Sequence, residues 1–253
     1  MNNVYIMSAN RSAIGGFGGT LKNHCPVDLG TLVAKEAIAR SGYEANEVEH
    51  AVFGNVIHTE PRDMYVSRVI ALQAGMDKAS AALTVNRLCG SGLQAIVSAS
   101  QILMLGDASV AMAGGVEVMS NGAHIVQGFR WGSRMGDGQV HDMMLGALHD
   151  PFGHGHMGIT AENISSRYQI SREMQDEFAL TSQKRAHKAI QNAIFKDQIL
   201  PIEIKTRKGI EIFEIDEHPK PDTSIETLTG LRTAFKKDGV VTAGNASGIN
   251  DGA

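Results

Sequence analysis

Short apolar runs alternate with amphipathic segments over the first 115 residues of the chain. The apolar runs predict strands at 3–8, 51–57, 82–88 and 108–115. Apolar positions at helical spacing predict helices at 28–42, 63–74 and 91–106. Gly42 and Gly75 follow the first two helices, where glycine commonly ends a helix in the left-handed conformation. Such alternation is typical of βαβ units on a mainly parallel, buried sheet, so we predict an α/β fold.

The pattern changes after residue 119. Residues 120–160 are rich in Gly, His and Met and show weak periodicity, which is usual for a functional loop or an insertion. Residues 160–192 return to helical spacing in two parts, and Ser171 starts the second. Residues 199–215 alternate apolar and polar positions, which predicts a hairpin that turns at Lys208-Gly209.

Composition places the chain among packed globular proteins. Its 253 residues include 28 Gly but only 6 Pro, and 43% are hydrophobic. The net charge of −4 argues against nucleic-acid binding, which favours a basic footprint. There is no run of 18 apolar residues and no secretory signal, so we expect no membrane span. Two cysteines cannot form a disulfide scaffold, and we expect a reducing, cytoplasmic location.

The most informative stretch is Asn86–Ala95, NRLCGSGLQA, which places Cys89 between a predicted strand and a predicted helix. A helix N-terminus offers free N–H groups and a partial positive charge, and both favour a thiolate. The layout is analogous to the strand–nucleophile–helix turn of serine hydrolases. A free cysteine is also a common small core residue, so the residues alone leave nucleophile and core hydrophobe equally open.

The same segment also fits a second interpretation, a dinucleotide-binding site. Residues 90–95 match the glycine pattern G-x-G-x-x-A of dinucleotide-binding βαβ units. The acidic partner should lie at the end of the next strand, about 20 residues on. Asp107 precedes that strand, and Glu117 lies 27 residues past Gly90, so the match is weak.

Several segments together resemble the thiolases, the acetyl-CoA acetyltransferase family. VNRLCGSGLQAI resembles the family's nucleophile segment, and RSAIGGFGGTL (11–21) its early loop, with Ala13 where proline is usual. GGVEVMS (114–120), HMGITAEN (156–163) and VTAGNASGINDGA (241–253) are similar to further family motifs at consistent spacing. Because several long motifs agree in register, the chain is identified as a member of this family.

The resemblance implies a layered thiolase fold, with a βαβαβ N-terminal half into which a loop domain is inserted. Residues 1–119 plus 246–253 would form an incomplete N-terminal domain, and 120–245 the loop domain for CoA binding and oligomerisation. Cys89 would be the nucleophile that accepts the acyl group as a thioester. The residues implied to hold CoA are Leu148, His156, Met157, Thr227, Phe235, Ala243, Ala246 and Ser247.

The resemblance also implies a reaction. It would be the reversible Claisen condensation of two acetyl-CoA to acetoacetyl-CoA, with CoA thioesters as substrates and no tightly bound cofactor. The full-length form would be a homodimer or homotetramer. The alternatives are a longer-chain 3-ketoacyl-CoA thiolase of fatty-acid degradation and a CoA-binding module without catalysis.

One histidine-rich segment has a second interpretation. His149, His154 and His156 with Asp150 resemble the spacing of metal ligands. No cysteine joins them, and Gly153 and Gly155 loosen the segment. We therefore expect no metal site, a CoA-channel role for His156, and ordinary loop histidines at 149 and 154.

The family's other catalytic motifs do not occur in these 253 residues. Thiolases use a Gly-His-Pro histidine, a Cys-x-Gly cysteine and an Asn-Glu-x-Phe asparagine; the only His-Pro here follows Glu217, and the only other cysteine is Cys25. We expect that the C-terminal half of the fold is missing, through truncation or cleavage, and that the chain alone is impaired or inactive. An uncovered apolar face would then favour association.

Overall fold

The computed structural model describes residues 3–253. Its helices are α1 (Pro26–Ser41), α2 (Val66–Gln73), α3 (Ser91–Leu105), α4 (Met143–Ala147), α5 (Met157–Tyr168), α6 (Arg172–Gln191) and α7 (Ile225–Thr229). Its strands are β1 (Arg11–Ser12), β2 (Gly15–Gly16), β3 (His50–Gly54), β4 (Ala81–Val85), β5 (Ala111–Gly115), β6 (Glu117–Val118), β7 (His124–Val126), β8 (Val140–Asp142), β9 (His149–Asp150), β10 (Gly155–His156), β11 (Ile199–Leu200), β12 (Ile202–Thr206), β13 (Gly209–Phe213) and β14 (Asn250–Gly252).

A parallel three-stranded sheet with the order β4-β3-β5 carries the first half of the chain. The side chains of β3 alternate between its two faces, as the strand geometry requires. Phe53 belongs to the larger apolar cluster, with Leu29 of α1 and Ile70 of α2, whereas Val52 packs with Ala95 of α3. The predicted parallel α/β arrangement is confirmed.

Most predicted elements are present, and their boundaries shift for local reasons. Helix α1 starts at Pro26 rather than Asp28, because proline is well tolerated in the first turn of a helix. It ends at Gly42 in the left-handed conformation, with φ +81°, as predicted. The predicted helix 63–74 is a 3₁₀ turn, Pro61–Tyr65, followed by α2.

The predicted first strand, residues 3–8, is wrong, because no described strand lies beside it. A cavity of about 730 Å³ separates residues 3–10 from the edge of β5, and Ala253 also lines it. A strand forms only where a neighbouring backbone completes its hydrogen bonds. This segment is held instead on α1 by side chains, through Ser8 Oγ to the Ala37 carbonyl (2.7 Å) and Asn10 Nδ2 to the Val33 carbonyl (3.0 Å).

The later segments form small local units. The predicted long helical region is two helices, α5 and α6, and Ser171 caps α6 by accepting a hydrogen bond from Met174 N, as predicted. The predicted hairpin is β12–β13, but it turns at Arg207-Lys208, one residue earlier than predicted, since Thr206 pairs with Gly209. Strand β14 then pairs antiparallel with β2 and β6. The division into 1–119 plus 246–253 and 120–245 stays a prediction.

One stretch, Leu88–Leu105, has the length and the mean hydropathy, 1.5, of a membrane-crossing helix. It contains α3, whose Ala95 and Ala99 are buried against β3. A helix that packs on a sheet satisfies the same test of length and composition, and α3 packs on β3 through one face. Its other face stays uncovered, since Leu93 is 69% exposed and Leu105 78%.

Candidate functional site

Cys89 lies at the tip of a tight turn between β4 and α3. Leu88 adopts φ +46°, a left-handed conformation that costs a residue with a bulky side chain energy. Ser91 holds the turn closed, because its Oγ accepts a hydrogen bond from Arg87 N (2.8 Å) and donates one to the Leu88 carbonyl (2.7 Å). Cys89 itself is exposed, so the alternative of a buried core cysteine is wrong.

Glycines on the sheet allow the turn to sit close to it. A Cβ added to Gly54, at the end of β3, would lie 2.7 Å from Ser91 Cβ. A Cβ on Gly115, at the end of β5, would lie 3.5 Å from Gly92 Cα. The first turn of α3 therefore rests on the ends of two strands, and their glycines set the position of Cys89.

A mostly buried carboxylate, Glu117, lies just beyond β5. It accepts hydrogen bonds from Asn55 Nδ2 (3.0 Å), Val56 N (3.0 Å) and Ile57 N (2.9 Å). Burial raises the pKa of Glu117 to about 7, against the lowering effect of the two backbone donors. Its oxygens hold the segment after β3 and are not free for a ribose hydroxyl, which the dinucleotide alternative requires. Sequence reasoning gave Glu117 no such structural role.

His156 and Phe235, two of the predicted CoA residues, are in contact. Their rings stack with centroids 4.7 Å apart, and His149 meets the His156 ring edge-on at 5.1 Å. His156 also caps α5, with Nδ1 accepting a hydrogen bond from Gly158 N at 3.0 Å. Burial and then the charge of His149 lower the pKa of His156. The neutral ring therefore carries its proton on Nε2, which is left as a donor.

Leu148 and Met157 join the same group. Met157 N donates to the Leu148 carbonyl at 2.8 Å, where β9 and β10 bring the chain back on itself. Leu148 also ends α4. Four of the eight predicted residues thus form one cluster, at the N-terminus of α5.

The other four lie on two neighbouring segments. Thr227 belongs to the capping box of α7, where its N–H donates to Ser224 Oγ. Ala243, Ala246 and Ser247 lie on the turn that follows Thr242.

The turn packs against the end of α7 and connects to the first cluster. A Cβ on Gly244 would lie 2.6 Å from the side chains of both Leu228 and Leu231. Ala234 N donates to the Val241 carbonyl at 2.9 Å, which places the segment that carries Phe235 beside the one that leads into the turn.

Cys89 is not connected to these residues by a hydrogen bond. Among residues 3–253, no hydrogen bond joins segment 86–94 to 143–247. The second cysteine, Cys25, is partly buried, and burial and the neighbouring Asp28 raise its pKa to about 11. Cys25 is therefore a protonated thiol packed on the core, whereas Cys89 is accessible.

The histidine segment serves the local backbone. His149 Nδ1 lies 2.7 Å from the Leu145 carbonyl, and Asp150 accepts a hydrogen bond from His154 N at 3.0 Å. In the part of the chain that the structure describes, no group of three or more His, Cys, Asp or Glu is placed to hold a metal ion.

The chain is similar in sequence and in fold to several known proteins. The family model described as the thiolase N-terminal domain matches residues 4–253. The chain is 56% identical over 251 residues to beta-ketothiolase BktB of Cupriavidus necator, covering 99% of the chain and 64% of that protein. The fold superposes on the crystal structure of Bacillus anthracis acetyl-CoA acetyltransferase with a TM-score of 0.96 and 47% identity, over 100% of this chain and 64% of that one.

Human mitochondrial 3-ketoacyl-CoA thiolase in complex with CoA gives a TM-score of 0.94 at 38% identity, over 98% of this chain and 62% of that one. The chain thus spans somewhat less than two thirds of the length of these relatives. The family predicted from the motifs is confirmed: the chain belongs to the thiolases and matches their N-terminal domain.

Proposed function

We propose that this chain carries the nucleophile of an acyl-CoA C-acyltransferase. In the first step the thiolate of Cys89 attacks the thioester carbonyl, a new C–S bond forms, the C–S bond to CoA breaks, and CoA leaves as the thiolate. The observation that carries the proposal is the exposure of Cys89 at the tip of a strained turn that the sheet holds in place.

We further propose that the residues around His156 and the turn at 243–247 hold the substrate's CoA moiety. Apolar walls from Leu148, Met157 and Phe235 suit the thin pantetheine arm, and a few polar groups suffice to orient it. His156 contributes its Nε2 donor. The relative that was solved with CoA supports this choice of ligand.

The reaction that we favour is the condensation of two acetyl-CoA to acetoacetyl-CoA and CoA. Its second step needs a base at the α-carbon of the second acetyl-CoA, and general acid–base groups commonly contribute about 10²- to 10⁴-fold. Because the family's base motifs do not occur in these 253 residues, the chain alone should acylate but turn over poorly. The beta-ketothiolase relative favours one second candidate, thiolysis of longer 3-ketoacyl-CoA substrates.

The test is incubation with acetyl-CoA followed by intact mass measurement. We expect one acetyl adduct in the wild type and in Cys25→Ala, and none in Cys89→Ala. An adduct that survives in Cys89→Ala, or no adduct in any form, would refute the nucleophile assignment. Saturable CoA binding without an adduct would favour the non-catalytic module. Repeating the incubation with longer acyl-CoA thioesters measures the preference for chain length.

We also propose that the full-length form is a cytoplasmic homodimer or homotetramer. The β7–β8 hairpin presents exposed apolar side chains, among which Trp131 is 89% and Met135 96% exposed. Exposed apolar groups of this size are common in contacts between subunits. Sedimentation of the wild type against Trp131→Ser tests the assignment, and an unchanged distribution of species would contradict it.

A further inference from the structure

Thr227 on α7 and the turn Ala243–Ser247 lie on separate segments of the chain. The ion pair between Arg172 and Asp176 connects both segments to α6. Asp176 is fully buried on α6, and Arg172, one turn earlier, donates from Nε to its Oδ2 at 2.7 Å. A buried carboxylate is costly unless charge and hydrogen bonds compensate it, so this pair is held in one geometry.

Arg172 fixes the end of α7. Its Nη2 donates to the carbonyls of Leu228 (2.6 Å) and Leu231 (3.1 Å). The Leu228 carbonyl lies in the last turn of α7, the helix that carries Thr227, and the Leu231 carbonyl lies two residues beyond its end; a cation at this end also complements the helix dipole.

Asp176 fixes the turn. Its Oδ1 accepts a hydrogen bond from Asn245 Nδ2 at 2.9 Å. Asn245 in turn accepts from Thr242 N through Oδ1 at 2.7 Å and donates to the Val240 carbonyl at 3.1 Å. Asn245 thus connects both arms of the turn to the buried carboxylate.

A second buried acid supports the same turn from α5. Glu162 is 5% exposed and accepts hydrogen bonds from Val240 N (3.0 Å) and Val241 N (2.9 Å). The turn has little regular secondary structure of its own, so its shape depends on these side chains.

We propose that Asp176 is a positioning residue for CoA binding, which acts through Asn245 on the turn and through Arg172 on α7. The proposal rests on the CoA site proposed above. A turn fixed before the ligand arrives loses less conformational entropy on binding, so loosening it weakens affinity without removing any contact to the ligand.

The test is CoA affinity measured by titration calorimetry on the 253-residue chain. Asn245→Asp sets two carboxylates against each other and should weaken binding roughly tenfold, which corresponds to about 1.4 kcal/mol. The exchange D176N/N245D restores a donor–acceptor pair and keeps acceptors for Arg172 Nε and Thr242 N, but it gives up the charge at position 176 and the hydrogen bond to the Val240 carbonyl. It should recover part of the affinity, and the melting temperature of each variant, measured alongside, separates this recovery from a change in overall stability.

The matched control is Asp216→Asn, which breaks the ion pair of Asp216 with Arg11 (2.7 Å) and touches neither segment. It should lower the melting temperature but not the affinity for CoA. If Asn245→Asp binds CoA as tightly as the wild type, or if the exchange recovers nothing, the positioning role is refuted and the CoA site stands. If the wild type itself binds no CoA, both fall. The alkylation rate of Cys89 in each variant shows whether the nucleophile turn is intact.

Discussion

Replacing Gly54 by alanine should disturb the Cys89 turn from the sheet side. The new methyl group would lie 2.7 Å from Ser91 Cβ and 2.8 Å from the Ser91 carbonyl carbon. Strand β3 is hydrogen-bonded on both sides, so the first turn of α3 has to move instead. Overpacking of this kind typically costs about 1–3 kcal/mol.

Gly92→Ala is the matched control, because it adds the same methyl group to the same helical turn. A Cβ on Gly92 meets no atom within 4 Å. Alanine is favoured over glycine within a helix by up to about 1 kcal/mol, so this variant should be as stable as the wild type or slightly more stable.

The assay is urea unfolding followed by circular dichroism, together with the rate at which iodoacetamide alkylates Cys89. Gly54→Ala should lower the unfolding midpoint and change the alkylation rate, whereas Gly92→Ala should not lower the midpoint. Equal midpoints for the two variants would refute the close approach of α3 to β3 as the cause. Cys25 contributes little background, since its raised pKa keeps it protonated.

Three further predictions concern the site and the uncovered face. The pKa of Glu117 is raised from 4.5 to about 7, so the stability that its neutral form provides is complete below pH 4.5 and lost as the pH rises through about 7. Relative to Glu117→Gln, the wild type should lose on the order of 3 kcal/mol across that window, and parallel stability curves would contradict this. Gly158→Ala places a Cβ 2.2 Å from the Phe235 ring and should weaken CoA binding several-fold in calorimetry; unchanged affinity would count against the ring's role. We expect the exposed apolar face of α3 to contribute to self-association. Leu93→Gln on this face should reduce self-association in sedimentation more than the control Ile210→Gln on β13 does, and equal effects would contradict that role of α3.

Periodicity predicted the elements whose stability is local. Helix α3 combines an apolar stripe with a glycine stop and lies where it was expected. Residues 3–8 have an equally clear apolar pattern, but a strand also needs a neighbouring backbone to pair with, and the spacing of apolar residues does not show whether one is present. The wrong strand prediction therefore has a physical cause: the local pattern shows which element a segment can form, and a pairing strand decides whether that element forms.

The candidate nucleophile, Cys89, could be singled out because its signal is local, with a cysteine, two glycines and a helix start in six residues. The residues proposed to bind CoA came from resemblance, and their mutual arrangement could not be predicted. It depends on pairs such as Asp176 with Asn245, which are 69 positions apart. Single-sequence reasoning has no access to such pairs.

Buried acidic side chains explain why the conformation of the loops could not be predicted from the sequence. Charged side chains are almost always predicted to lie in solvent, yet Asp63, Glu162, Asp176 and Asp251 are each at most 5% exposed. Three of them accept backbone N–H groups of irregular segments: Asp63 at 59–60, Glu162 at 240–241 and Asp251 at 120. These N–H groups have no sheet or helix partner, and a carboxylate with two acceptor oxygens supplies what secondary structure supplies elsewhere. Alanine in place of one of these acids removes the acceptors altogether, so such substitutions should loosen the loops that carry the proposed site before they loosen the core.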